Sequence, residues 1–177
     1  MVRPPRTTAD LVHVMNRGGG RRPIFVDDGD RQTFMSMLGD ACPRFGVEVL
    51  AYCLLRNHYH LVLRRRDGDI SRAMQHLGGR YTAAFNRRHD TDGPLFRGRF
   101  KAVAIDDDRQ LIAAVAYVHA NVYDIGPAAN PRTHPWSSHP IYIGRAPKAR
   151  WFDTSLVLSL MNGPASLDEL VAGARAA

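Results

Sequence analysis

Val47-Glu48-Val49-Leu50-Ala51-Tyr52-Cys53-Leu54-Leu55-Arg56-Asn57-His58-Tyr59-His60-Leu61-Val62-Leu63-Arg64-Arg65 holds two β-prone segments around a short polar break. Val47 to Leu55 is apolar and β-branched at its start, and Tyr59 to Arg65 resumes strand character after Arg56-Asn57, so the stretch reads as a hairpin or two adjacent strands. On both sides the apolar period changes. Asp30 to Pro43 places Phe34, Met35, Leu38 and Cys42 near helical spacing. Ile70 to Arg88 does the same with Met74, Leu77, Tyr81 and Phe85, despite Gly78-Gly79 in its middle. The paired strands are therefore expected between two helices.

Further out, Leu11 to Arg17 is short, β-prone and ended by Gly18-Gly19-Gly20, which reads as a first strand and a flexible loop. Leu95 to Ile105 reads as another strand. Asp106-Asp107-Asp108 then supplies acidic residues suited to a helix N-terminus, and a third helix is expected to about Asp124. The order strand, helix, strand, strand, helix, strand, helix is the ferredoxin-like split βαβ pattern with an added helix, an α+β fold with an antiparallel sheet. After Gly126 come Pro127, Pro131, Pro135 and Pro140, with short helices expected at Thr154 to Met161 and Ser166 to Arg175. We read residues 1–145 as the main domain and 146–177 as a helical tail, an appendage rather than a second core.

A chain of 177 residues with 45% hydrophobic content suffices for one core. Lys plus Arg outnumber Asp plus Glu by 24 to 17, and every basic residue except Lys101 and Lys148 is Arg. Guanidinium forks suit phosphate ligands, although an Arg-rich codon bias gives the same composition. Cys42 and Cys53 have no CxxC spacing, which points away from a zinc ribbon or a disulfide framework and towards a reducing cytoplasm. Met1 to Asp10 is polar, and no apolar run approaches a membrane span or a signal-peptide core, so a soluble, unexported protein with no membrane partner is expected.

On a strand, His58, His60 and Val62 share one face, and Tyr59, Leu61 and Leu63 the other. Two adjacent imidazoles offer two nitrogen ligands to one metal, but the same spacing also describes two surface histidines. On the third helix Leu111, Val115, Val118 and Val122 form the apolar stripe. Tyr117 falls roughly opposite it, with Asn121 one turn on. That pair is either a half-exposed phenol beside a surface amide, or a nucleophile with a carbonyl ligand.

The runs Leu54-Leu55-Arg56-Asn57-His58-Tyr59-His60-Leu61-Val62, Tyr81 through Asn86-Arg87-Arg88 to Gly93-Pro94-Leu95-Phe96-Arg97-Gly98-Arg99-Phe100-Lys101, Tyr117-Val118-His119-Ala120-Asn121 and Pro135-Trp136-Ser137-Ser138 together resemble the REP-associated tyrosine transposases. These belong to the HUH single-strand DNA transposases, named for His-hydrophobic-His. The resemblance spans roughly residues 11–145. It implies that His58, His60 and Asn121 hold Mg²⁺ or Mn²⁺, and that Tyr117 attacks a DNA phosphodiester to leave a 5′-phosphotyrosine and a free 3′-hydroxyl. By ligand softness alone two imidazoles would also suit Zn²⁺. Arg56 departs from the family's Pro, and Val122-Tyr123 from its Pro-Val, which adds Tyr123 as a rival phenol. Tyr123 has Pro127 where a ligand would stand one turn on, and Tyr117 is preferred.

The implied partner is single-stranded or hairpin DNA, and a monomer is favoured over the swapped dimers of the wider transposase group. Candidate DNA-binding residues are Arg17, Arg21 and Arg22 around the glycines, Arg64, Arg65 and Arg66 after the histidine strand, Arg80, Arg87 and Arg88 on the second helix, and Arg97, Arg99 and Lys101 beyond it. Tyr81 and Phe100 are either stacking platforms or core. The Gly18-Gly19-Gly20 loop is either a connector or a backbone approach to DNA, and His119 reads as structural. Two other readings remain. A non-catalytic nucleic-acid module fits Arg97 to Val103, which faintly echoes the RNP1 pattern. A metal-dependent hydrolase using water would form no covalent intermediate.

Overall fold

A computed structural model describes residues 9–174. Met1 to Thr8 and the Arg175 end of the last expected helix lie outside the described residues. Four strands, β1 (Leu11–Arg17), β2 (Val47–Leu55), β3 (His58–Arg65) and β4 (Lys101–Ala104), form one sheet in the order β2-β3-β1-β4, every neighbour antiparallel. Helices α1 (Asp28–Arg44) and α2 (Ile70–His89) link β1 to β2 and β3 to β4, and α3 (Asp108–Ala120) follows β4. This is the ferredoxin-like α+β fold the sequence led us to expect.

The sheet separates two layers because alternate side chains point to opposite faces. Tyr59 meets Phe34 of α1 at 5.0 Å between ring centroids, whereas its neighbour His60 meets Tyr117 of α3 at 5.8 Å. Helices α1 and α2 therefore cover one face and α3 crosses the other. Val12, Val14, Leu61 and Leu63 are fully buried, and Phe34, Leu38, Leu77 and Tyr81 join them in one hydrophobic cluster. All three long helices start with the same device: the carboxylates of Asp27, Asp69 and Asp107 accept from the backbone N–H groups of Asp30, Arg72 and Gln110. Gly46, at φ +63°, makes the turn from α1 to β2, where a Cβ would lie 2.3 Å from Asp67 Oδ1.

Three expectations change. The strand expected over Leu95 to Ile105 pairs only at Lys101–Ala104, apart from one bridge between Phe96 and Gly18. Pro94 stands directly before it, Gly98 interrupts it, Leu95 buries itself completely, and Asn16 Nδ2 donates to Gly98 O, so the segment packs as a loop. The third helix stops at Ala120 and tightens into a 3-10 turn over Asn121–Ile125. A short helix α4 (His139–Tyr142), unforeseen in the sequence, precedes α5 (Ser155–Ser159) and α6 (Pro164–Gly173). Val157, Leu167 and Val171 are buried in the same cluster as the sheet, and α6 lies against α3. Among the described residues no helix is long and apolar enough to cross a membrane.

Candidate active site

The site forms where β3, β1 and the end of α3 meet. His58 and His60 share the α3 face of β3, with ring centroids 5.1 Å apart. Antiparallel pairing sets His13 of β1 opposite Val62, and so on the same face. Its ring stacks on His60 at 5.1 Å, and Tyr117 meets both edge-on, at 5.7 Å from His13 and 5.8 Å from His60. Tyr117 is 55% exposed, an unusual position for a large aromatic against a buried imidazole. Asn121, buried at the C-cap of α3, donates from Nδ2 to Tyr117 O at 2.7 Å.

Each of these polar side chains has one end tied and one end available. Asn57 Oδ1 lies 2.7 Å from His58 Nδ1, and His13 Nε2 lies 2.9 Å from His60 Nδ1. The Nε2 atoms of His58 and His60 and the carbonyl of Asn121 make no hydrogen bond among the described residues. Burial, with the positive charge His13 and His58 would add, pushes the His60 imidazole down to about 3. Burial also lowers His58, with the Asp124 carboxylate opposing and Arg17 reinforcing the shift. Both rings are thus neutral near pH 7, as metal ligands must be. Two neutral nitrogens and an amide oxygen fit a divalent cation that keeps open positions for outside ligands. Among the described residues no three His, Cys, Asp or Glu side chains could hold an ion together.

Tyr123, half-buried on the 3-10 turn, lines a cavity of about 510 Å³ together with Tyr117, Asn121 and Asp124, and also walls a second one of about 330 Å³ with Arg132, His139 and Asp168. His119 is fully buried and bonded to Ser138 Oγ at 2.8 Å, which places it in the core.

The expected DNA-binding cations divide into two groups. Arg64 and Arg66 pair with Glu48, Arg65 with Asp10, and Arg88 with Asp27 and Asp30, while Arg22 donates to the Leu95 and Pro94 carbonyls. Arg17, Arg21, Arg80, Arg87, Arg97, Arg99 and Lys101 are exposed and form no ion pair among the described residues. Arg99 and Lys101 line a groove of about 1030 Å³ between α2 and the segment leading into β4, with Phe96 and Phe100 in its wall and no carboxylate. Gly78 and Gly79 also line it, so the glycine pair in α2 leaves open space. Tyr81 is core, its hydroxyl donating to Ile24 O.

His13, Asn57 and Asp124 join the site without a local sequence signal that marks them. Asn57 lies inside the motif that carries the histidines, where its residue type alone assigns it no role. His13 joins the site only through strand register, and Asp124 only through the 3-10 turn.

Residues 8–121 match the sequence model of a family described as Transposase, IS200-like. No curated protein sequence matches the chain. Among solved structures it is similar to a REP-associated tyrosine transposase bound to a REP hairpin, with a TM-score of 0.69 at 16% identity over 87% of this chain and 92% of that one. The two share a fold. A Deinococcus radiodurans R1 structure assigned as a transposase aligns with a TM-score of 0.45 at 15% identity, over 63% of this chain and 89% of that one.

Proposed function

The chain belongs to the IS200-like transposase family, a DNA-processing family, and we propose that it cleaves and rejoins single-stranded DNA with Tyr117 as nucleophile. The observation that carries this reading is the placement of an exposed phenol edge-on to the buried His60 ring, which is itself paired with His58. Tyr117 Oη attacks the phosphorus, the bond from phosphorus to the 3′ oxygen breaks, and a 5′-phosphotyrosine and a 3′-hydroxyl result. The phenol proton leaves to solvent, which the exposure of Tyr117 permits, and the departing 3′ oxygen takes one up. A reverse attack by another 3′-hydroxyl joins strands without further energy input.

His58 and His60 through Nε2, and Asn121 through its carbonyl, would hold Mg²⁺ or Mn²⁺, which neutralises charge developing on the phosphate and orients it. The Asn121 amide contributes a second constraint, because its Nδ2 bond to the Tyr117 carbonyl ties the ligand to the nucleophile's own backbone. Single-stranded or hairpin DNA is the substrate class, as for the REP-hairpin complex with the shared fold. Arg99 and Lys101 draw the backbone into the groove beside β4, and the half-buried Phe96 and Phe100 offer faces for unpaired bases.

Hairpin-bearing single strands incubated with the protein and Mn²⁺ test the chemistry. The expected product pair is a denaturation-resistant protein–DNA adduct and a free 3′-hydroxyl fragment. Cleavage with no adduct at any time point would support water as nucleophile and overturn this reading.

A further inference from the structure

The geometry points to His13 and Asn57 as positioning residues that hold His60 and His58 in the one tautomer able to offer Nε2 to a cation. This inference rests on the metal-assisted reading of the site. A neutral imidazole carries one N–H and one lone pair, and the partner of one nitrogen decides what the other can do.

Asn57 settles the matter for His58 through its own orientation. Its Nδ2 donates to Arg21 O at 3.3 Å, which turns Oδ1, an acceptor, towards His58 Nδ1 at 2.7 Å. An acceptor there requires His58 to carry its proton on Nδ1, and Nε2 keeps the lone pair. The amide is anchored in turn. Gly18 N–H donates to Asn57 O, and the Ile24 and Phe25 N–H groups donate to Arg56 O. The glycine loop after β1 thus clamps the turn that carries Asn57. A Cβ on Gly18 would stand 2.2 Å from Arg22 O, so the clamp needs glycine at that position.

His60 meets another imidazole, and the 2.9 Å contact between His13 Nε2 and His60 Nδ1 admits two arrangements. Only one leaves a lone pair on His60 Nε2: His60 Nδ1–H donates to His13 Nε2, and His13 keeps its proton on Nδ1. His13 Nε2 is then used up. No third His, Cys, Asp or Glu converges with the pair among the described residues, so His13 serves as a partner of a ligand rather than as a ligand. Its ring also touches Tyr117, at 5.7 Å, so one residue of β1 steadies both a ligand and the nucleophile.

Long-range ¹H–¹⁵N spectra of the metal-free protein read the tautomers directly. The expected wild-type result is His58 and His60 both protonated at Nδ1, with His60 losing that preference in His13→Leu and His58 losing it in Asn57→Leu. His13→Gln and Asn57→Asp, which keep an acceptor, should retain it. In a Tyr117→Phe background with single-stranded DNA, Mn²⁺ binding followed by electron paramagnetic resonance should weaken about 10–100-fold in the leucine variants and recover in the acceptor variants. DNA affinity in chelator should not change. The inference is overturned if wild-type His60 carries its proton on Nε2, or if both leucine variants keep wild-type tautomers and Mn²⁺ affinity. Absence of Mn²⁺ binding by the wild type would instead overturn the metal reading, and the tautomer spectra would still decide the roles of His13 and Asn57.

Discussion

Tyr117 leaves the last turn of α3 packed at steep angles against two imidazoles and yet 55% exposed, which combines packing with access from solvent. Tyr117→Phe keeps the ring and removes only the proposed nucleophile. It should abolish the covalent adduct while leaving DNA affinity, measured by fluorescence anisotropy, unchanged. Among the described residues Asp124 is the one carboxylate acting on His58, beside proposed ligands that bring no charge of their own. Asp124→Asn should weaken Mn²⁺ binding to the DNA complex a few-fold, in line with a screened interaction of about 0.2–1 kcal/mol, and calorimetry would read it. An unchanged affinity would remove Asp124 from the site. The histidine pair was legible in the sequence because both residues lie on one strand, whose period fixes who shares a face. Tyr117 and Asn121 were legible only as neighbours one turn apart, since Asn121 caps α3 where the 3-10 turn begins and is buried while Tyr117 is exposed. His13 was not, because its place depends on how β1 and β3 register, and no local pattern encodes a partner strand's offset.

At the scale of elements, α3 is the piece that joins chemistry to architecture. Its inner side carries His119, fully buried, 3.3 Å from His139 of α4, which reaches Asp168 of α6 at 3.0 Å. Burial lowers His119 well below its ordinary value, and it lowers His139 too, with Asp168 partly opposing. Both imidazoles therefore stay neutral in the folded chain at a pH where the unfolded chain would protonate them. Their contribution is fully present above the ordinary histidine value of 6.5 and is lost as pH falls below it towards the lowered folded values. The melting temperature should fall between pH 7.5 and pH 5, and His119→Gln should flatten that slope even if it lowers the temperature throughout. A variant with the wild-type slope would contradict the assignment. Asp107→Ala removes the N-cap of the same helix and should cost about 0.5–2 kcal/mol, readable by chemical denaturation. Element order was legible from periodicity, whereas the extent of β4 was not. Leu95 to Phe100 has strand-like composition, yet a buried Leu95, Pro94 and Gly98 favour a packed loop over a ladder.

For the whole molecule, the formal charge of +7 draws nucleic acid, but the fold decides which cations remain to meet it. Arg64, Arg65 and Arg88 are held by carboxylates, whereas Arg99 and Lys101 border a groove without one. Replacing both groove residues with alanine should reduce the slope of log affinity against log salt by about 1.4 for single-stranded DNA, close to 0.7 for each phosphate no longer neutralised. An unchanged slope would place the strand elsewhere. Composition alone could not make this division, since it counts charges and not their partners. The tail likewise gave little warning of its role: Leu167 and Val171 are buried in the core beside α3, a consequence of packing that a proline-rich approach conceals. All of these features bear on one phenol. The protein, hairpin DNA and Mn²⁺ should be incubated, digested, and the nucleotide-bearing peptide identified by mass spectrometry. The predicted result is a phosphodiester linkage on Tyr117, formed equally by Tyr123→Phe and lost in Tyr117→Phe; linkage to Tyr123, or an adduct that survives in Tyr117→Phe, would contradict it.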